Sequence, residues 1–217
     1  MVPTTCTDSS QPAQGKFISF EGTEGVGKTT LIAGVAKILI EKGIDFIQTR
    51  EPGGSPFAET LRGLLLDPAV TMTDDSELLL MFSARSDHVA TVILPALAQG
   101  KWVLCDRFID STLAYQGFGR ASGDEQVLAK IQILIDNFVP KLPDTTIWLD
   151  LPISEGMQRA KNRGTLDRFE QEQIAFFERV YQGFEYCHRQ QPKRIQRINA
   201  SGDMAGVLQK VLTVLDI

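Results

Sequence analysis

Cysteine is scarce in this chain of 217 residues: Cys6, Cys105 and Cys187 are far apart and odd in number. They form neither a disulfide framework nor a zinc-ligand spacing, and a reducing compartment, the cytoplasm, suits them best. Histidine is scarcer still, with only His88 and His188. No apolar run approaches the roughly 20 residues that span a bilayer, so no membrane partner is expected. Basic charge is not in excess. Lys and Arg number 22 against 27 Asp and Glu, for a net charge of −5. That balance argues against nucleic acid as a partner, and any affinity for phosphates must come from local basic clusters. The first fifteen residues, MVPTTCTDSSQPAQG, lack the apolar stretch of a secretory signal. They read as a disordered polar tail, 1–15, and leave 16–217 as a single domain.

What is present is an alternation of two periods. Short β-rich apolar runs fall at 16–21, 44–49, 101–106, 145–150 and 194–200. Helical spacing occupies 29–43, which stops on Gly43, and 76–100, with a kink expected at Pro95. Further helical patterns cover 125–138, 154–163, 170–190 and 203–215. Strands alternating with helices imply a parallel sheet covered on both faces. The charge-dense stretch RAKNRGTLDRFE, 159–170, sits between two helices as an excursion outside the core.

One loop carries a definite chemistry. Gly22-Thr23-Glu24-Gly25-Val26-Gly27-Lys28-Thr29 fits the G-x-x-x-x-G-K-[ST] pattern and stands between a strand and a helix, the context that pattern needs. Glycines let backbone N–H groups turn inward around phosphate oxygens, and the helix start adds partial positive charge. Lys28 then reaches the β- and γ-phosphates of ATP, and Thr29 offers its hydroxyl to Mg²⁺. A phosphate loop alone names no reaction, since switches, motors and kinases share it.

In open parallel sheets ligands lie beyond the carboxyl ends of the strands. The second strand is followed by Thr49-Arg50-Glu51-Pro52-Gly53-Gly54-Ser55. The third is followed by Asp106-Arg107-Phe108 and then Ser111 to Gly117. Arg50 and Arg107 therefore face the phosphate loop from neighbouring turns, and a planar guanidinium suits phosphate oxygens.

The segments FEGTEGVGKTT, TREPGGSP, DRFIDSTLAYQG and RGTLDRFEQE together closely resemble bacterial thymidylate kinases, over nearly the whole chain from Lys16 onward. The resemblance implies a P-loop nucleoside-monophosphate kinase, a three-layer α/β/α fold around a five-stranded parallel sheet, with a lid at about 159–170. It implies the reaction ATP plus dTMP to ADP plus dTDP with Mg²⁺, for dTTP synthesis, in a homodimer. It places catalytic arginines in the lid, where Arg159, Arg163 and Arg168 stand, and the phosphate loop agrees by having none. Glu24 matches the position that contacts the acceptor's 3′-hydroxyl. Arg85 matches the arginine that donates to a thymine carbonyl, and Tyr115 the wall under deoxyribose. The stacking phenylalanine of the family lies four residues before that arginine. Here Met81 occupies that place and Phe82 follows it, so either Met81 packs on the base or Phe82 reaches it from a rotated helix.

A phosphate monoester with a second pKa of about 6 is already largely dianionic at neutral pH. The reaction then needs no general base, and its difficulty is bringing two polyanions together. Lys28, Mg²⁺ and the lid arginines would hold the donor; Arg50 and Arg107 would hold the acceptor phosphate. Asp106 would orient Mg²⁺ through its water shell, or orient Arg107. Thr112 and Gln116 would add hydrogen bonds to base or phosphate. Two rivals compete: another (deoxy)nucleotide kinase or a deoxynucleoside kinase, the latter using Glu51 as its base, and a P-loop ATPase switch or clamp-loader-type protein.

Overall fold

A computed structural model describes residues 15–161, 168–169 and 172–217. Five strands form one sheet: β1 (Phe17–Glu21), β2 (Phe46–Arg50), β3 (Trp102–Asp106), β4 (Thr145–Asp150) and β5 (Ile195–Asn199). Every pairing is parallel, and the order is β2-β3-β1-β4-β5. All five residues of the central strand β1 are buried. A strand covered on both faces shows a continuous apolar run rather than alternation, which is why KFISFE reads as it does.

The helices are α1 (Lys28–Glu41), α2 (Pro56–Leu66), α3 (Asp74–His88), α4 (Leu94–Ala98), α5 (Ile109–Thr112), α6 (Glu125–Phe138), α7 (Ile153–Lys161), α8 (Ile174–Gln190) and α9 (Met204–Leu215). Ile18 and Phe20 of β1 join Leu31, Val35 and Leu39 of α1 and Val211 of α9 in one core layer. Leu31, Val35 and Leu39, spaced four apart, are all fully buried. Each such side chain contributes roughly 1.5–3 kcal/mol. On the opposite face Phe17, Val103 and Cys105 pack with Phe82, Ile93 and Ile131. Farther along, Trp148 and Ile195 pack with Phe177, Val180 and Phe184 of α8.

Three segments differ from the sequence expectation. The turn after β2 opens directly into α2. Ser55 caps it by accepting from the Ala58 N–H at 3.1 Å, and Pro56 takes the first helical position. The stretch expected as a helix kinked at Pro95 is α3 and α4 joined by a π-helical turn, Val89–Ile93, in which the Leu94 N–H donates to the Val89 carbonyl. The wider turn absorbs the ring and missing donor of Pro95 without a break. A second π-helical segment, Leu113–Arg120, continues α5 where a loop was expected.

Candidate active site

Sheet register brings three strand ends level. Asp106 lies opposite both Phe20 and Arg50. The residues that follow β1, β2 and β3 therefore emerge side by side, and they line one cavity of about 550 Å³. Lys28, Arg50, Arg107 and Arg159 all border it, together with Glu24 to Gly27, Thr29, Glu51, Asp106, Thr112, Tyr115 and Gln116. Gly22 and Thr23 precede this lining, and Thr23 is buried.

The phosphate loop needs its glycines. Gly22, Gly25 and Gly27 have φ of 139°, 73° and 94°, conformations that side-chain-bearing residues avoid. A Cβ on Gly25 would sit 1.9 Å from the Gly156 carbonyl oxygen of α7. Lys28 Nζ donates to the Gly22 carbonyl at 3.3 Å. Burial, and then the neighbouring Arg107 guanidinium, hold the Lys28 ammonium below its usual pKa. A bound polyanion would relieve both effects.

Arg107 adopts φ 68°, a strained left-handed backbone for an arginine. Its Nη1 donates to the Gly22 carbonyl at 3.0 Å and to Ser111 Oγ at 3.2 Å, and its Nη2 pairs with Glu24. The guanidinium lies 4.9 Å over the Tyr115 ring. Tyr115 donates its hydroxyl to Glu24 Oε1 at 3.1 Å, and burial pushes that phenol well up, so it stays a neutral donor. Asp106 holds a buried Oδ1 with no hydrogen-bond partner among the described residues.

Helix α3 supplies another wall. Glu77, Met81, Arg85 and His88 are all buried, and their spacing of i, i+4, i+8 and i+11 sets them along one face. Arg85 Nε donates to Glu51 Oε2 at 2.7 Å, and His88 Nδ1 bonds Glu51 Oε1 at 2.9 Å. Thr49 Oγ1 bonds the other His88 nitrogen at 2.6 Å. Arg85 Nη1 has no partner among the described residues. Burying an unsatisfied cationic donor is costly unless a ligand completes it.

Several expectations change here. Phe82 does not line the cavity. It packs into the core with Phe17 and Phe108, with the Arg85 guanidinium 5.1 Å over its ring, while Met81 faces the cavity. The helix is not rotated, because turning Phe82 outward would expose a core aromatic. Arg168 is also absent from the lining. Its Nε donates to the Leu65 carbonyl at 2.8 Å and its Nη2 pairs with Glu77, so it ties chain segments together. Arg159 lines the cavity and is paired with Glu155. Arg163 and most of the expected lid lie outside the described residues. Glu51 cannot act as a free base, since both its oxygens are engaged.

Sequence reasoning missed Glu21, Arg62 and Glu77. Glu21 receives the Phe108 N–H at 2.7 Å and the Ser111 hydroxyl behind the phosphate loop. Burial, and then the Asp110 charge, push its pKa up to about 8. Arg62 of α2 lines the cavity and donates to the Pro52 carbonyl at 2.7 Å. The signal for Glu77 was an acid on the same helical stripe as Met81 and Arg85.

A parallel sheet with a glycine phosphate loop after its central strand, and arginines converging from the next two strand ends, defines a P-loop nucleotide kinase. Comparison with known proteins then narrows the class. The family model described as thymidylate kinase matches residues 20–211. The chain is 63% identical over 197 residues to a thymidylate kinase from Psychrobacter sp. (strain PRwf-1), covering 91% of this chain and 95% of that one. It is 48% identical over 201 residues to one from Acinetobacter baumannii (strain SDF), covering 92% and 99%. It superposes on the crystal structure of thymidylate kinase from Ehrlichia chaffeensis with a TM-score of 0.75, at 35% identity, covering 94% and 99%. The chain belongs to the thymidylate kinase family.

Proposed function

We propose that this chain transfers the γ-phosphoryl group of ATP to dTMP, giving ADP and dTDP. The observation that carries the reading is the convergence of Lys28, Arg50, Arg107 and Arg159 on one cavity whose far wall offers the unpartnered Arg85 Nη1. The backbone from Gly22 to Thr29 cradles the ATP phosphates, with Lys28 on the β- and γ-groups. Arg107, braced by Glu24 and stacked on Tyr115, holds the acceptor phosphate together with Arg50. Arg159 approaches the transferring group from α7. Glu24, at the mouth of the phosphate loop, contacts the deoxyribose hydroxyl, and Tyr115 closes the space beneath the sugar. Arg85 donates to a base carbonyl, Met81 packs on the ring, and Thr112 and Gln116 complete the base pocket.

The donor set also suits Mg²⁺, which prefers one or two protein oxygens plus phosphates and water. The exposed Thr29 hydroxyl and the partnerless Asp106 Oδ1 are such oxygens on one cavity wall. When bound, Mg²⁺ neutralises phosphate charge and lowers the barrier to in-line displacement. No general base is required of the chain, because the acceptor phosphate is already anionic.

Glu51 weighs against the deoxynucleoside kinase reading, since it is held by Arg85 and His88 rather than free to take a hydroxyl proton. A homodimer is supported by exposed apolar side chains on adjoining helices, Leu64 of α2, Leu79 of α3 and Ile133 of α6. The free, buried thiols of Cys105 and Cys187 suit a reducing cytoplasm. No described helix is long and apolar enough to cross a membrane.

The test is a turnover panel of dTMP, dUMP, dCMP and thymidine with ATP and Mg²⁺, run beside Arg85→Ala. The reading expects dTMP to be the best acceptor and the variant to lose most of that preference. Equal turnover of thymidine, or ATP hydrolysis that ignores nucleotides and responds to DNA, would refute it.

A further inference from the structure

Glu77 is an acid in the wall of the base pocket, 1% exposed on α3, and the phosphoryl-transfer chemistry leaves it unused. Its Oε1 accepts from Gln116 Nε2 at 2.8 Å. Its Oε2 accepts from Arg168 Nη2 and lies 3.6 Å from Arg120 Nη2. Gln116 is itself 4% exposed and borders the cavity beside Thr112, Met81 and Arg85. The Gln116 Oε1 has no partner among the described residues.

We propose that Glu77 is a positioning residue that sets base choice, by locking the Gln116 amide so that a hydrogen-bond acceptor faces the base. This rests on reading the cavity as the dTMP pocket. The chemistry of Glu77 itself fixes which way the amide faces. A carboxylate flanked by two guanidiniums accepts hydrogen bonds and donates none. The only end of Gln116 that satisfies it is the NH₂, so the carbonyl oxygen turns to the cavity.

An acceptor at that place recognises a base carrying a ring N–H, as thymine and uracil do. Cytosine presents a lone pair at the same ring nitrogen, and the two acceptors would repel. Arg85 Nη1 adds the complementary demand, a donor that suits a carbonyl and opposes an exocyclic amine. Both groups therefore reject cytosine, and a buried polar site left mispaired discriminates strongly. The carboxylate also connects the pocket to neighbouring segments. Through Arg168, whose Nε holds the Leu65 carbonyl, Glu77 joins the end of α2 to the π-helical segment that carries Gln116.

The test compares kcat/KM for dTMP and dCMP. In Glu77→Gln the new amide can pair with Gln116 in either orientation, so the lock is released. The dTMP-to-dCMP preference should fall roughly ten- to a hundredfold, with a higher KM for dTMP, a gain for dCMP and an unchanged KM for ATP. A purely structural role would lower turnover of both acceptors and leave the ratio alone, and that result would overturn the proposal. Gln116→Met, close in size but without the amide, must also lose the preference; if it keeps it, the proposal fails whether or not Glu77→Gln folds. In the double variant the two losses should not add, because Glu77 acts through Gln116. A wild-type enzyme that does not favour dTMP would instead sink the underlying reading of the pocket.

Discussion

The two walls of the cavity are built on opposite principles. On the acceptor side, charge is buried and committed: Glu51 is divided between Arg85 and His88, and Glu77 between Gln116 and Arg168, with all six of these buried or nearly so. On the phosphate side, Arg50 and Arg159 are about half exposed and rest on the surface acids Glu59 and Glu155. Exposed pairs of that kind are worth about 0–1 kcal/mol and exchange easily. A base must be read by groups that cannot rearrange, whereas phosphates arrive and leave with each turnover, and beside the braced Arg107 the cavity keeps two arginines that can change partners.

That contrast makes the buried wall the place where single changes cost most. Glu51→Leu would leave Arg85 buried without its partner, a loss on the order of 3–5 kcal/mol. Urea unfolding should show it as a large fall in midpoint. A change below 1 kcal/mol would mean that water replaces the carboxylate there, and the two walls would no longer differ. Lys28→Met acts on the other side and through chemistry rather than folding. Turnover should fall roughly a hundred- to a thousandfold, as for loss of one charge-stabilising group. Thermal stability should hold or rise, because the Lys28 ammonium is buried and weakly partnered without ligand.

How much of this was legible depends on range. The phosphate loop is local, so residues 22–29 announce it, and the strands are legible because burial on both faces removes their alternation. Arg50 and Arg107 could be set at one edge because parallel strands end together. The partners of Arg85 could not be read, since Glu51 lies 34 residues away and the contact depends on how α3 packs. Phe82 was ambiguous for a related reason: adjacent positions on a helix differ by about 100°, and only the packed core decides which one faces inward. The π-helical turns were invisible, as each is one extra residue in a pattern that otherwise reads as helix or loop. The bonds of Arg168 to Leu65 and Glu77 could not be read either, since those partners lie 103 and 91 residues away.

Behind the phosphate loop, Glu21 sharpens the comparison, because it is a buried acid on the phosphate side. Its pKa is pushed from an ordinary 4.5 up to about 8, by burial first and then by Asp110. Between those values the unfolded chain has released this proton while the folded chain still holds it. Stability should therefore fall as pH rises across that window, by at most roughly 1.4 kcal/mol per pH unit, and level off above it. Glu21→Gln should flatten the profile of unfolding free energy between about pH 5 and 8. An unchanged slope would assign the effect to other groups.

The smallest effect belongs to the exposed pair. Glu59 accepts from Arg50 at 3.0 Å and from the Gly54 N–H at 2.9 Å, and the Gly54 bond, ahead of Arg50, holds its carboxyl below the usual range. Removing its charge in Glu59→Gln should change stability by less than about 1 kcal/mol, because both partners are well solvated. It should lower the KM for dTMP slightly, since Arg50 would no longer have to leave an acid before meeting the acceptor phosphate. The gain should shrink at high salt, where the competing pair is already screened. A raised KM would mean that Glu59 holds Arg50 in its working position, and Arg50 would then belong with the committed charges of the acceptor wall.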